Sequence, residues 1–250
     1  MSNNRKISVS KSTYTNGTPV PQSHGGIEEG ETFNGLTMQQ MFDKILYPYI
    51  APSVSLSVSP SSYLREYGDT VSSVDLTANV TKNSNDITSV EFFRDGSSIH
   101  NVSSPDPSGG TETYTDSNSV NDDTTYRVDA SDGTTTVNSY RTYSFVYPYY
   151  HGVGAPGLSP SEIQNLTKMI ETKSDKTVYE SPTEEVYYFA YPASYGSLSL
   201  ILDNNGFDVT ADFTETTESF SMNDGTTQDY LVYELKNLTT QTDFKLDYIY

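Results

Sequence analysis

Imidazole is the side chain best suited to proton transfer near neutral pH and to metal binding. This chain holds three histidines: His24, His100 and His151. They lie in different segments, each beside Gly, Asn or Tyr, so a metal cluster would need separate domains to converge. Exposed loop histidines are the simpler reading. Paired carboxylates recur at Glu28-Glu29, Asp122-Asp123 and Glu184-Glu185. A glycoside hydrolase needs two such groups across a cleft with one pKa raised, whereas adjacent acids on solvated turns arise readily in an acidic chain. A hydrolase centred on Glu184 or Glu185 is therefore the weaker alternative. Asp203-Asn204-Asn205-Gly206-Phe207-Asp208 is rich in oxygen, but lacks the alternating carboxylates and closing bidentate acid of a calcium loop. It reads as a turn with Asn and Gly supplying positive φ.

Nucleophilic and phosphate chemistry find no footing either. The chain has no cysteine, hence no thiolate, disulfide or Cys-ligated zinc. It has no Gly-x-Ser-x-Gly elbow and no Gly-Lys-Ser/Thr phosphate loop. Gly152 and Gly154 lack the strand-turn-helix setting of a dinucleotide site. No catalytic, metal or cofactor residue is assigned, and the expectation is a protein that is not an enzyme.

What stands out is tyrosine, present 21 times among 250 residues. Tyr47-Pro48-Tyr49, Tyr147-Pro148-Tyr149-Tyr150 and Tyr187-Tyr188-Phe189-Ala190-Tyr191-Pro192 bracket the junctions between segments. Tyrosine suits surfaces buried against a partner yet wet at one edge. The competing reading is packing within the chain. Tyr187, Tyr188, Tyr191 and Tyr195 are the candidate ligand or partner surface.

The elements that would position these residues follow from periodicity. Residues 1–36 carry few large apolar side chains, with Gly25-Gly26 and Gly30 as bends. Such an arm is expected to be mobile or to order against a partner chain. Thr37 and Gln40 then have capping-box spacing, and Leu36 with Met41 can form a hydrophobic staple. Met38, Met41, Phe42, Ile45 and Leu46 share one helical face until Pro48 ends the helix. The spacing predicts a helix over 37–46, too short to stand alone. Leu36, Met38, Met41, Phe42, Ile45, Leu46, Tyr47 and Tyr49 form the expected docking face of an arm over 1–51.

From residue 52 the period changes to two. Val54, Leu56 and Val58 alternate with serines, and Val74, Leu76, Ala78 and Val80 alternate with polar residues. Asp95-Gly96 and Asp132-Gly133 are tight-turn signals. Short strands with turns at this spacing predict an immunoglobulin-like β-sandwich over 52–148. Without Trp or a Cys pair, Phe92 or Phe93 is the expected core pin. Gly and Pro density marks 149–175 as a linker, with a capped helix from Ser159-Pro160-Ser161-Glu162 to about Lys173. Residues 176–250 return to strands as a small C-terminal β-sandwich module. The expected class is mainly β.

Composition supports this class. The chain holds 34 Ser and 31 Thr, and hydrophobic residues make up 34%. Hydroxyl residues fill the apolar deficit, in a mixture that favours strands and turns over helices. Fourteen basic against 33 acidic residues leave a net charge of −19, which disfavours nucleic acid and anionic membranes. No apolar run is long enough to span a bilayer, so no membrane insertion is expected. Met1 to Ser10 has no signal-peptide apolar stretch, so a soluble chain outside the ordinary export route is expected. The Asn-x-Ser/Thr triplets at Asn79, Asn101, Asn165 and Asn237 are then accidents of composition.

A resemblance sharpens this picture. Gly25-Gly26-Ile27-Glu28-Glu29-Gly30-Glu31-Thr32-Phe33-Asn34-Gly35-Leu36-Thr37, running on to Tyr47-Pro48-Tyr49, resembles a leader of tailed-bacteriophage virion proteins. There, a similar segment and short helix precede an immunoglobulin-like domain. Tyr188 to Gly196, then Ile201 to Val209 and Phe213, is similar to a module recurring in the same proteins. The resemblance implies a structural protein such as a head fibre, capsid decoration, or neck or tail component. It would be assembled into the virion in the host cytoplasm. Implied partners are other virion proteins (capsid, portal or neck, or tail) and further copies of the chain as a homo-oligomer. The alternative is an adhesin-like fibre that binds host surface glycan. The family supplies no catalytic residues and no cofactor.

Overall fold

The computed structural model describes residues 13, 17–23, 25–61 and 64–250. Its architecture is mainly β, as two sandwiches in tandem behind a short helix. Helix α1 (Met38–Leu46) precedes strands β1 (Ser53–Ser59), β2 (Leu64–Glu66) and β3 (Val74–Thr81). The hairpin of β4 (Ser89–Arg94) and β5 (Ser97–Asn101) follows, then β6 (Gly109–Asp116), β7 (Thr124–Ser131) and β8 (Thr136–Val146). One sheet has the order β1-β3-β6 and the other β2-β8-β7-β4-β5, with β2 parallel to β8. This crossed-over order is that of an immunoglobulin-like sandwich.

The period-two pattern decides which side chains meet between the sheets. Val74, Leu76, Ala78 and Val80 all point inward from β3, against Leu56, Val90, Val128 and fully buried Phe92. Phe92 is thus the core pin. Phe93 faces outward, with the Arg127 guanidinium 4.0 Å from its ring centre. Asp95-Gly96 turns with positive φ at both residues, as a two-residue hairpin turn requires.

One buried polar knot ties the two sheets. Asp116, at the end of β6, is 1% exposed. Its carboxylate accepts hydrogen bonds from the Tyr126 hydroxyl at 2.8 Å and from Arg94 at 3.0 Å. Burial opposes its ionisation, but Asn118, Tyr126 and Arg94 outweigh that and hold its pKa below the usual carboxylate range.

The second sandwich begins earlier than expected. Strand β9 (Tyr149–Gly154) pairs with the central strand β12 (Thr183–Pro192), so 149–175 is part of this domain rather than a linker. The expected helix to about Lys173 is also shorter. Helix α2 covers only Pro160–Ile163, and Thr167–Met169 is strand β10 on the edge of β9. The Ser159–Glu162 capping box forms as read. Beyond it, the free backbone edge of β9 offers a ladder that a solvated helix turn does not.

Strand β11 (Lys176–Glu180) comes before β12, and β13 (Leu200–Leu202), β14 (Phe213–Ser221), β15 (Thr227–Leu235), β16 (Thr239–Thr240) and β17 (Phe244–Ile249) complete the domain. The larger sheet runs β10-β9-β12-β15-β14, with β16 beside β12, and it faces the three-stranded sheet β11-β17-β13.

The sandwiches touch at a polar joint. Lys168 Nζ lies 2.8 and 3.0 Å from the Glu66 carboxylate, and the rings of Tyr67 and Tyr147 stand 4.5 Å apart. Gly68 has φ +94°, and a Cβ there would meet the Asp224 backbone nitrogen at 2.8 Å. Only glycine fits this approach without strain.

The Asp116 knot yields a stability test. Asp116→Asn removes the charge facing Arg94 and Tyr126 and should cost about 2–3 kcal/mol at pH 7. A lowered native pKa contributes stability above the unfolded value of about 3.9, and loses it as pH falls through the native value. The gap between wild type and variant in urea denaturation should therefore close in acid.

Candidate interaction surface

Helix α1 forms as its sequence dictates. The Gln40 side chain accepts from the Thr37 backbone N–H at 2.8 Å, and the Thr37 hydroxyl accepts from the Gln40 N–H at 3.3 Å. Both halves of the capping box are present. Lys44 lies in the last turn, where a cation suits the helix dipole.

The arm ahead of it is partly ordered by its own chain. Gly26 N–H donates to the Lys44 carbonyl at 2.8 Å, satisfying one of the helix's terminal acceptors. A Cβ on Gly26 would stand 2.6 Å from that same oxygen. The Gly25-Gly26 pair is therefore a close-approach site. Ile27 is buried, and Lys44 bridges to Glu31 at 3.0 Å, which holds the Glu31 carboxyl below its ordinary pKa. Backbone bonds between Val20 and Glu31 and between Gly30 and Val20 close a small loop. The expectation of an arm that is mobile or ordered only against a partner chain is corrected for these residues.

The other side of the helix has no such cover. Met38, Phe42 and Leu46 are 48%, 52% and 64% exposed, and no residue of α1 is buried. Leu36, Met41 and Ile45 are half-buried beside them. Tyr47, Tyr49 and Ile50 extend the exposed surface. Tyr49 is anchored at its tip, its hydroxyl donating to Asp132 at 2.8 Å. Ile50 N–H donates to the Ser84 hydroxyl, and the Ile50 carbonyl accepts from Ser84 N–H. These bonds attach the helix unit to the first sandwich. The structure thus gathers the eight expected docking residues into one region and adds Ile50, whose only sequence signal is its place after Tyr49.

The tyrosine surface does not exist as expected. Tyr187, Tyr188 and Tyr191 are 3% exposed or less. Strand β12 is covered on both faces, so its alternating residues feed two cores. Tyr187, Phe189 and Tyr191 meet Leu246 and Tyr248 between the sheets. Val186, Tyr188 and Ala190 meet Phe220 and Tyr230 under α2. Tyr195 is half-buried against the Tyr149 ring at 5.9 Å. A ligand cannot reach the first three, and they are removed as binding candidates.

The remaining chemistry-bearing residues stay apart. His100 stacks on Tyr114 at 4.6 Å, and His151 Nδ1 sits 2.5 Å from Glu180 Oε1. His24 lies outside the described residues. Among the described residues, no group of three or more His, Asp or Glu side chains could hold a metal ion. Asp203 accepts from the backbone N–H groups of Asn205 and Phe207, both at 2.8 Å, and Gly206 has positive φ. That loop is a self-capped turn. Glu184 is an exposed residue with φ 57° where β12 meets β16.

No family model matches this chain, and no curated protein matches it. The surface around α1 therefore has to be read from its own geometry. It can bury apolar area, and among the described residues it shows no converging set of catalytic side chains.

Tyr188 separates the core reading from the binding one. Its hydroxyl donates to the Ala155 carbonyl at 2.8 Å and accepts from Leu158 N–H at 3.1 Å. Tyr188→Phe should lower stability by about 1–3 kcal/mol in urea denaturation, because two buried partners lose their bond. Its effect should register in stability.

Proposed function

We propose that this chain is a non-enzymatic structural component of a tailed-phage virion, attached through its N-terminal arm. The single observation that carries the reading is the capped helix α1, held at one end by the arm and open along its apolar side. A short helix of this kind has little reason to persist with Met38, Phe42 and Leu46 in water unless an assembled state covers them. The resemblance of Gly25–Tyr49 to phage virion leaders agrees with that role.

The rest of the chain suits a spacer. Two sandwiches joined by the Glu66–Lys168 pair and the Gly68 contact form a body that can project from an attachment point. Head fibre, capsid decoration and neck or tail protein are all compatible with this plan, and each would place the chain on the particle. Among the described residues, no helix is long and apolar enough to cross a membrane. The net charge of −19 opposes contact with packaged nucleic acid.

Particle fractionation tests the proposal. The full-length chain should co-sediment with purified particles of the phage that encodes it. Removing residues 1–35, which takes away the Gly26 contact and Glu31, should cut the bound fraction at least tenfold. Absence of the full-length chain from intact particles would overturn the reading.

A further inference from the structure

We infer that the apolar side of helix α1 is covered by further copies of this same chain, packed helix against helix. The inference rests on the assembly reading only in treating α1 as an interface, and it names the occupant.

Three observations support a second copy. The first is area. Met38, Phe42, Leu46, Tyr47, Tyr49 and Ile50 are between 42% and 77% exposed. At about 200 Å² for a large side chain, they present roughly 700 Å² of apolar-rich surface. That exceeds what monomers usually leave in one patch. It also approaches the ~800 Å² per partner of an ordinary stable interface.

Charge is the second. From Thr32 to Leu64 the only charged residues are Asp43 and Lys44, in a chain of net charge −19. Lys44 is bound to Glu31, and Asp43 accepts from the Gln39 amide at 2.8 Å. A basic partner would be attracted by a dense acidic rim, whereas this face carries only Asp43 and Asp132 beyond the Lys44–Glu31 pair. A low charge density is what lets two copies of a strongly acidic chain approach each other.

The third is spacing. Met38, Phe42 and Ile45 recur at i, i+4 and i+7, a stripe that packs against an identical stripe at a crossing near 20°. A symmetric contact of this type closes on itself, giving a finite assembly.

Sedimentation equilibrium on the purified full-length chain tests this directly. The expected result is a concentration-dependent mass that rises above the 27.7 kDa monomer. Phe42→Glu and Leu46→Glu should each weaken self-association at least tenfold. Both side chains are exposed, so the melting temperature should hold. Tyr140→Glu, at an exposed position on β8, should leave association intact.

Because the chain has no cysteine, Phe42→Cys gives a second readout: mild oxidation should link copies through the centre of the helix. A wild-type chain that remains monomeric at roughly 100 μM overturns the inference. So does association that survives both glutamate substitutions, or failure of Phe42→Cys to cross-link where the wild type associates. A monomer that nonetheless binds particles through α1 gives the face to another virion protein, and leaves the assembly reading standing. An oligomer absent from particles keeps this inference and removes that reading.

Discussion

Each buried phenol ring carries a hydroxyl into the protein, and that hydroxyl needs a partner. In a chain where tyrosine supplies core area that Leu and Ile do not, this constraint shapes the architecture. The partners are mostly loop carbonyls. Tyr143 donates to Pro60, Tyr188 to Ala155, Tyr191 to Gly196 and Tyr230 to Pro148. Tyr126 donates to Asp116, and Tyr233 accepts from Leu198 N–H while donating to Glu215. Each ring fills the core while its tip fixes a connection, so packing and loop conformation are set together. Burial pushes the hydroxyls of Tyr126, Tyr188, Tyr191, Tyr230 and Tyr233 away from ionisation and keeps them as donors, whereas the buried hydroxyls of Tyr187 and Tyr248 find no partner among the described residues.

The same constraint separates the body from the attachment unit. In the two sandwiches, Phe92, Phe189, Tyr191 and Tyr248 have no accessible surface left to offer. Around α1 the relation reverses: rings and aliphatic chains are exposed, and Tyr49 has its hydroxyl tied to the body, at Asp132. Apolar side chains that find cover within the chain are structural. Those that do not are available for association, and six of them lie together between Met38 and Ile50, whereas Tyr140, Ile170, Tyr179, Phe207 and Leu238 are exposed singly.

Much of the fold was legible because the relevant forces are local. The capping box of Thr37 and Gln40, the alternation along β3 and the Asp95-Gly96 turn depend on neighbours a few residues apart, and each formed as read. The placement of the aromatic run was not legible. Glu184 to Pro192 has the composition of an interface, and periodicity cannot tell whether both faces of a strand are covered. That depended on α2 and Leu158 closing one face and the sheet of β11, β13 and β17 closing the other. The Gly25-Gly26 contact with the helix end was similarly hidden, since a pair of glycines signals a bend but not what approaches it.

The sequence by itself determined most element types, turn chemistry, charge and the absence of thiol chemistry, which follow from residue identity and short spacing, although β10 lies where a helix is expected. Tertiary structure decided which tyrosines are core, where the second sandwich begins, and which apolar stripe stays in water. Those outcomes depend on backbone edges and side chains far apart in the chain, such as β9 pairing with β12 and Glu66 meeting Lys168. Alternation marks the inward face of a strand such as β3, but whether the second face is also covered depends on what arrives from elsewhere.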